Sequence, residues 1–185
     1  MLTYSFITVA QRVDLDTLAD DIGQPDFHHH LHRFIQDQLE SDTSTSSPFF
    51  YMPDRIYVYS SAITTFYTPS DLCGTGGMCS KHMHAVTSWR YGTPRYDCVF
   101  VNTDKQEWGM HGLSITQARL FFSVTVNHIN YPCALVHWYS WLGESPDENT
   151  GMWIVEPDTL DDGSPWIAVI HLDTIIHLAH LLAIQ

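Results

Sequence analysis

The chain has 185 residues, a size that fits one compact domain. Hydrophobic residues make up 44% of it and aromatic residues 13%, which supports a packed core and argues against a disordered chain. Eight Lys and Arg oppose 21 Asp and Glu, giving a net charge of −13 with neutral histidines, so autonomous binding to nucleic acids or anionic membranes is not expected.

The N-terminal region carries two helix patterns followed by a linker pattern. Apolar residues recur at helical spacing in Asp14–Ile22 and again in Phe27–Leu39. The Ser/Thr-rich run Glu40–Pro48 has no core-forming residue, which predicts a boundary. We therefore interpret residues 1–47 as a helical preface with a linker and residues 48–185 as a β-rich domain.

The next part of the chain is typical of short strands. Alternating side chains predict extended structure over Arg55–Tyr67, and Tyr96–Asn102 is predicted to be a buried strand. Ala118–Val126 and Pro132–Tyr139 are predicted to pair as a hairpin with its tip at Asn127–Asn130.

Two stretches between these strands have no clear periodicity. The Gly-rich run Cys73–Cys79 predicts a flexible loop, and it lacks the Gly-Lys-Ser/Thr ending of a phosphate loop. Ser80–Pro94 is predicted to be irregular, with Trp89 as its anchor.

The C-terminal third predicts a β-meander. Three short apolar runs favour strands, and acidic loops rich in Gly and Pro separate them: Ala134–Tyr139, Met152–Val155 and Trp166–Ile170. Asp173–Leu178 is predicted to be one helical turn before a last strand, Leu181–Ile184. The whole pattern predicts a mainly β, α+β fold: a small SH3-like, partly open β-barrel with an N-terminal helical preface.

Targeting signals are absent from the pattern. No run reaches the ~20 apolar residues of a membrane span, and the first residues lack the basic segment and cleavage site of a signal peptide. The four cysteines have no paired CxxC spacing, so they are interpreted as reduced thiols. We expect an intracellular protein, nuclear or cytoplasmic and not secreted.

One loop has residues suited to zinc. Cys73, Cys79, His82 and His84 lie close in sequence, and Cys79 and His82 have an acceptable spacing for a ligand pair. Cys73 is too far from Cys79 to complete a standard pair. Ordinary loop residues are the alternative, and no other cofactor is expected.

Other histidines carry less specific signals. His28 and His32 are four residues apart on the second predicted helix, but no Glu occupies the position of a metalloprotease base. Four further histidines lie in or beside apolar runs, with Ser140 and Cys133 as the nearby nucleophile candidates: His137, His171, His177 and His180. Neither candidate has a nucleophile-elbow motif, so these histidines are interpreted as core residues and the protein as a non-enzyme.

Four tryptophans in the C-terminal third form the candidate binding surface. Trp138, Trp141, Trp153 and Trp166 are suited to an aromatic cage for a methylated lysine. Core packing is the simpler alternative for all four. The neighbouring acidic pairs, at 147–148 and 161–162, lack the ligand spacing of a calcium loop and are interpreted as turn carboxylates.

Several long aromatic-rich blocks resemble one known family. The chain resembles the C-terminal region of Plavaka-type transposases, a CACTA-related group of mushroom-forming fungi, from about Asp26 onward. The blocks that carry the resemblance are SAITTFYTPSDLCGTGGM (Ser61–Met78), SWRYGTPRYDCVFVNTD (Ser88–Asp104), LFFSVTV, Tyr131–Asp158 and VIHLDTIIHLAHLL (Val169–Leu182).

The resemblance implies an accessory role. In that family the acidic residues that cut DNA lie upstream, in a ribonuclease-H-like domain that has no counterpart here, so it implies no catalytic residue. The family tends to have basic residues after the GGM motif and near His177, where this chain has few or none. The start at Met1 suggests a gene fragment or a repurposed copy.

Three functions remain open from the sequence. The first is a non-catalytic, transposase-derived interaction domain with a protein partner and no small-molecule substrate. The second is a chromatin-type reader of basic peptides, methylated ones included, because the acidic charge suits a basic partner. The third is a zinc-dependent enzyme or a zinc-stabilised module built on Cys79, His82 and His84.

Overall fold

The computed structural model describes residues 3–7, 10–42, 50–53, 55–68, 75–104, 106–107 and 109–182. These residues form a mainly β fold with two helices near the N-terminus, which confirms the predicted α+β class. In chain order the elements are β1 (Thr3–Phe6), β2 (Gln11–Asp14), α1 (Leu15–Asp21), α2 (Phe27–Asp42), β3 (Arg55–Tyr59), β4 (Ser61–Tyr67), β5 (Met78–Val86), β6 (Arg95–Tyr96), β7 (Cys98–Asn102), β8 (Leu113–Val126), β9 (Ile129–Trp141), β10 (Val155–Pro157), β11 (Ile167–His171) and β12 (Ile175–Ala179).

A long hairpin of β8 and β9 is the centre of the main sheet. β8 also pairs with β7 at one end and with β3 at the other, while β9 pairs with both β10 and β11. β12 extends the sheet beyond β7, and β2 extends it beyond β3. All of these pairs are antiparallel. The hairpin turns at Asn127 and His128, inside the predicted tip.

A second, smaller sheet has the strand order β1-β4-β5-β6. Residue 60 lies where the chain leaves β3 in the main sheet and enters β4 in the small one. The prediction that Ser80–Pro94 is irregular is therefore wrong for its first half, because β5 pairs with β4 from Met78 to His84.

The central strands of the main sheet are buried on both faces. On β9, Cys133 and Leu135 belong to the core cluster shared with the helices, while Ala134 and Val136 belong to the cluster shared with the small sheet. A strand covered on both faces is apolar at successive positions, which explains the unbroken run of β9. The helices, the main sheet and the small sheet thus form three layers. The described strands do not close into a barrel, so the SH3-like barrel part of the prediction is wrong although the α+β class holds.

The helices form where the sequence predicts them. The Asp14 side chain caps α1 by accepting a hydrogen bond from the Asp16 backbone at 3.2 Å. Helix α2 begins at Phe27 as predicted and extends beyond Leu39 to Asp42. Phe27 is fully buried, and its ring meets that of Phe122 edge-on at 5.4 Å.

The N-terminal region is more than a helical preface. Its strands β1 and β2 each add an edge strand to one sheet, and its helices share a core cluster with the main sheet. The predicted boundary after residue 47 falls among residues 43–49, outside the described residues. Neither helix of the described chain has the length and apolarity that crossing a bilayer requires.

Two C-terminal predictions are confirmed only in part. The single helical turn predicted within Asp173–Leu178 is a 3-10 turn at Leu172–Thr174, and the rest of that segment belongs to β12. Met152–Ile154 is not a strand, because pairing with β9 begins only at Val155. Leu181 and Leu182 lie after the last described strand, and residues 183–185 lie outside the described part.

Candidate functional site

The residues of the predicted zinc site do not converge. In β5, Cys79 and Met83 are buried on one side of the strand. Successive side chains of a strand point to opposite faces, so His82 and His84 lie on the other side from Cys79. Cys73 falls outside the described residues. Within the described ranges, no three His, Cys, Asp or Glu side chains are grouped as a metal site would need.

His84 is instead part of a hydrogen-bond network around Asp97. Its Nδ1 lies 3.1 Å from Asp97 Oδ2, and its backbone N–H donates to the same oxygen at 2.9 Å. Arg95 donates to both oxygens of Asp97, from Nε at 2.9 Å and from Nη2 at 3.1 Å. Burial alone would raise the pKa of Asp97, but these hydrogen bonds outweigh it and hold that pKa below its ordinary value.

Three of the four C-terminal histidines each have a separate partner, and the fourth, His180, is exposed and so is not a core residue. His137 Nε2 lies 2.9 Å from the carbonyl oxygen of Asp158, and His177 Nδ1 lies 2.8 Å from the carbonyl oxygen of Leu178. His171 Nδ1 lies 2.6 Å from a carboxylate oxygen of Asp173. These contacts hold turns and strand ends in place.

The cysteine thiols of the main sheet are poor nucleophiles. Burial raises the pKa of Cys133 far above its ordinary value. Burial, with a smaller contribution from the charge of Asp97, raises the pKa of Cys98 to about 11. Both thiols are therefore protonated at neutral pH, the unreactive form.

Two of the four predicted tryptophans meet at the end of β9. The ring centroids of Trp141 and Trp153 are 5.1 Å apart, and their planes are inclined by 63°. His111 meets Trp153 edge-on at 5.7 Å. A hollow of about 400 Å³ opens at this point, and Glu144 also lines it. We call Trp141, Trp153, His111 and Glu144 the aromatic corner.

Backbone contacts fix the geometry of the aromatic corner. Trp141 Nε1 donates a hydrogen bond to the carbonyl oxygen of Leu113 at 3.2 Å, which anchors the indole to β8. The backbone N–H of Leu142 donates to the carbonyl oxygen of Ile154 at 2.9 Å, so the chain returns beside Trp141 with Trp153 in place. The two tryptophans are therefore held before any ligand arrives.

The carboxylates of the acidic turns are structural groups that stay ionised. Asp147 accepts hydrogen bonds from the Thr150 side chain at 2.8 Å and from the Thr150 and Asn149 backbones, and these bonds lower its pKa. The side chain and backbone of Ser164 do the same for Asp162. The interpretation of both residues as turn carboxylates agrees with these contacts.

The other two tryptophans lie nearby in different settings. Trp138 packs against the core cluster under the small sheet, and its backbone N–H donates to the carbonyl oxygen of Trp166 at 3.1 Å. Trp166 is 51% exposed, beside Asp161 and Asp162. Trp138, Trp141 and Trp166 line one groove of about 1020 Å³. Trp141 thus belongs to both the groove and the aromatic corner.

The C-terminal third of the sequence is strongly acidic. Residues 120–185 contain no Lys or Arg and eight acidic residues: Glu144, Asp147, Glu148, Glu156, Asp158, Asp161, Asp162 and Asp173. A surface of this sign attracts cationic partners and repels anionic ones.

Sequence reasoning missed a second feature, which lies midway along β8. Arg119 sits in a β-bulge of β8, and its guanidinium lies 4.2 Å from the ring centroid of Tyr96. The nearby hairpin holds Arg90 and Tyr91 with positive φ angles of 50° and 64°, a conformation rare outside glycine. The signal for Arg119 was a single cation inside the apolar run ARLFFSVTV.

Comparisons with protein-family models, with curated proteins and with solved structures find no match to this chain.

Proposed function

We propose that the chain is a non-catalytic protein-interaction domain that binds a cationic side chain of its partner, a methylated lysine above all, in the aromatic corner. We further propose, from the resemblance in its aromatic-rich blocks, that it derives from the accessory region of a Plavaka-type transposase. The observation that carries the binding proposal is the inclined pair of Trp141 and Trp153 beside Glu144.

The chemistry of the aromatic corner suits a cation. The face of an indole ring carries negative potential, and a cation within ~6 Å of its centroid gains roughly 0.5–2 kcal/mol, depending on its desolvation. Two inclined tryptophan rings offer two walls of a cage to one ammonium group. Glu144 adds a full negative charge at the same hollow.

The charge distribution favours the same class of partner. The net charge is −13, and residues 120–185 contain no basic side chain apart from histidine. Complementary charge raises the rate of association and suppresses wrong partners more than it raises affinity. A basic, lysine-rich segment of another protein is therefore the partner we propose.

Methylation sharpens the expected preference. A trimethyl-lysine keeps its positive charge, loses its N–H donors and is less strongly hydrated, so it gives up less on entering an aromatic hollow. A neutral side chain of the same shape, with carbon in place of the quaternary nitrogen, keeps the apolar contact and loses the charge. Comparing the two isolates the electrostatic part of binding.

The test is calorimetric titration of the full chain with three short peptides that differ only in one side chain: trimethyl-lysine, lysine and the neutral isostere. We expect the trimethyl-lysine peptide to bind at least about tenfold more tightly than the neutral one. Trp153→Ala should remove that difference. Trp166→Ala, which truncates an exposed tryptophan outside the aromatic corner, should leave it in place.

Two results would contradict the proposal. One is equal affinity for the charged peptide and its neutral isostere. The other is an unchanged preference in Trp153→Ala, provided that its circular dichroism spectrum matches that of the parent chain.

A further inference from the structure

A break in the register of the main sheet creates a second cleft. Ala118 pairs with Val136 and Leu120 pairs with Leu135, so β8 has one more residue than β9 at this point, and that residue is Arg119. A bulge of this kind bends the strand and redirects a side chain. Ala118 faces the small sheet and Leu120 faces the helices. Arg119 is the residue between these two positions, which face opposite sides of the main sheet.

The guanidinium of Arg119 is held but not neutralised. It stacks 4.2 Å above the ring centroid of Tyr96, and its Nη1 donates to Gln117 Oε1 at 3.1 Å. Throughout the described part of the chain, no ion pair joins Arg119 to a carboxylate. By contrast, Arg95 is paired with Asp97 through two hydrogen bonds. A guanidinium has five N–H donors, so Arg119 keeps donors for a ligand.

The cleft beside Arg119 has an apolar floor and a polar rim. It has a volume of about 420 Å³ and lies between helix α1, the end of β3 and the base of the β5–β6 hairpin. Leu18, Val58, Leu120 and Leu135 contribute the floor, and polar residues such as Gln11 and Gln24 lie at the rim. Asp21 also lines the cleft and is the acidic residue there.

We propose that this cleft binds a carboxylate attached to a short apolar group. The guanidinium fork matches the two oxygens of a carboxylate, and such charge-assisted pairs are stronger than neutral hydrogen bonds. The apolar floor accepts the carbon chain behind that carboxylate. A phosphate fits less well, because its larger negative charge meets Asp21 and a chain of net charge −13.

This site is independent of the function proposed above. The cleft and the aromatic corner share no lining residue, and they select ligands of opposite charge. Loss of binding at one of them therefore leaves the other unaffected.

The experiment uses the full chain and three soluble probes: hexanoate, its neutral amide hexanamide, and inorganic phosphate. Binding is followed by NMR through the backbone amides of Leu120 and Ser88 and the Nε–H of Arg119. We expect hexanoate to shift these signals saturably and to bind about tenfold more tightly than hexanamide. Arg119→Met should abolish the preference for hexanoate, and Arg119→Lys should keep part of it.

The matched control is Arg90→Met, which removes the same charge from an exposed position outside the cleft. We expect that variant to bind hexanoate as the parent chain does. Equal binding of hexanoate and hexanamide would overturn the proposal, as would tighter binding of phosphate than of hexanoate. If Arg119→Met does not fold, the affinities of the three probes for the parent chain and for Arg119→Lys test the proposal instead.

Discussion

Trp141 and Trp153 lie with their ring centroids 5.1 Å apart although an acidic loop separates them in the chain. Their contact depends on the hydrogen bond from the Leu142 backbone to Ile154 and on the turn around Asp147. The same loop places Glu144 in the lining of the hollow. One short connection therefore supplies both the aromatic walls and the negative charge of the proposed site.

The first prediction concerns that charge. Glu144→Gln keeps the shape of the side chain and removes its charge, so the affinity for a trimethyl-lysine peptide should fall about threefold, as expected for an exposed ion pair. Glu156→Gln is the control, since Glu156 is also exposed but does not line the hollow. Calorimetric titration at low and at physiological salt measures both. Equal losses of peptide affinity in the two variants would mean that the overall negative charge of the chain attracts the peptide and that Glu144 has no specific role.

The second prediction concerns pH and Asp97. Its folded pKa lies below the unfolded value of about 3.9, so the ionised carboxylate stabilises the fold above that pH. The stabilisation is lost as the pH falls through the folded pKa. Asp97→Asn should lower the free energy of unfolding at pH 7 by about 1–3 kcal/mol.

Urea titrations at several pH values test this. The difference between the parent chain and Asp97→Asn should shrink below about pH 4. Asp161→Asn removes the same charge from an exposed turn and should have little effect. A difference for Asp97→Asn that stays constant down to pH 2 would be inconsistent with a lowered pKa.

The third prediction concerns thiol reactivity. A pKa of about 11 leaves so little thiolate at pH 8 that Cys98 should react with iodoacetamide roughly two orders of magnitude more slowly than a free cysteine. Cys133, which is fully buried, should be slower still. The measurement is peptide mapping by mass spectrometry in a Cys73→Ser background, with the urea-unfolded chain as the control. Rapid labelling of Cys98 in the folded chain would contradict the burial described here.

The fourth prediction concerns the tip of the main hairpin. Asn127 and His128 have φ angles of 50° and 67°, the conformation of a two-residue turn that favours Asn-Gly. His128→Gly should therefore raise the free energy of unfolding by about 1 kcal/mol. His128→Ala truncates the same exposed side chain without relieving the backbone, so it should not stabilise the chain. A gain of equal size in both variants would contradict the backbone explanation.

The elements that the sequence predicts well are those encoded by neighbouring residues. Helix α1 has its cap at Asp14 and its apolar spacing within a single segment, and the β8–β9 hairpin has two apolar strands around an Asn-rich tip. β5 was missed because three consecutive exposed polar residues, Ser80, Lys81 and His82, interrupt its apolar pattern. Whether such a strand forms depends on pairing with β4, which periodicity in β5 alone does not reveal.

The candidate sites also divide into features encoded by neighbouring residues and features that depend on contacts between distant segments. Trp141 and Trp153 were predictable as aromatic residues suited to a cage, but their contact depends on how the β9–β10 loop closes. The bulge at Arg119 was not predictable, because it exists only relative to the register of β9. The zinc prediction assumed a flexible loop, whereas strand alternation separates Cys79 from His82 and His84.

The most direct test of the proposed function is NMR of the indole N–H groups during titration with a trimethyl-lysine peptide. Each signal is first assigned by a single Trp→Phe substitution. The signals of Trp141 and Trp153 should shift together and saturate, while that of Trp89, which already lies beneath Arg95 at 4.8 Å, should stay in place. If Trp141 and Trp153 do not respond at millimolar peptide, or if the neutral isostere shifts them equally, the aromatic corner is not a cation-binding site.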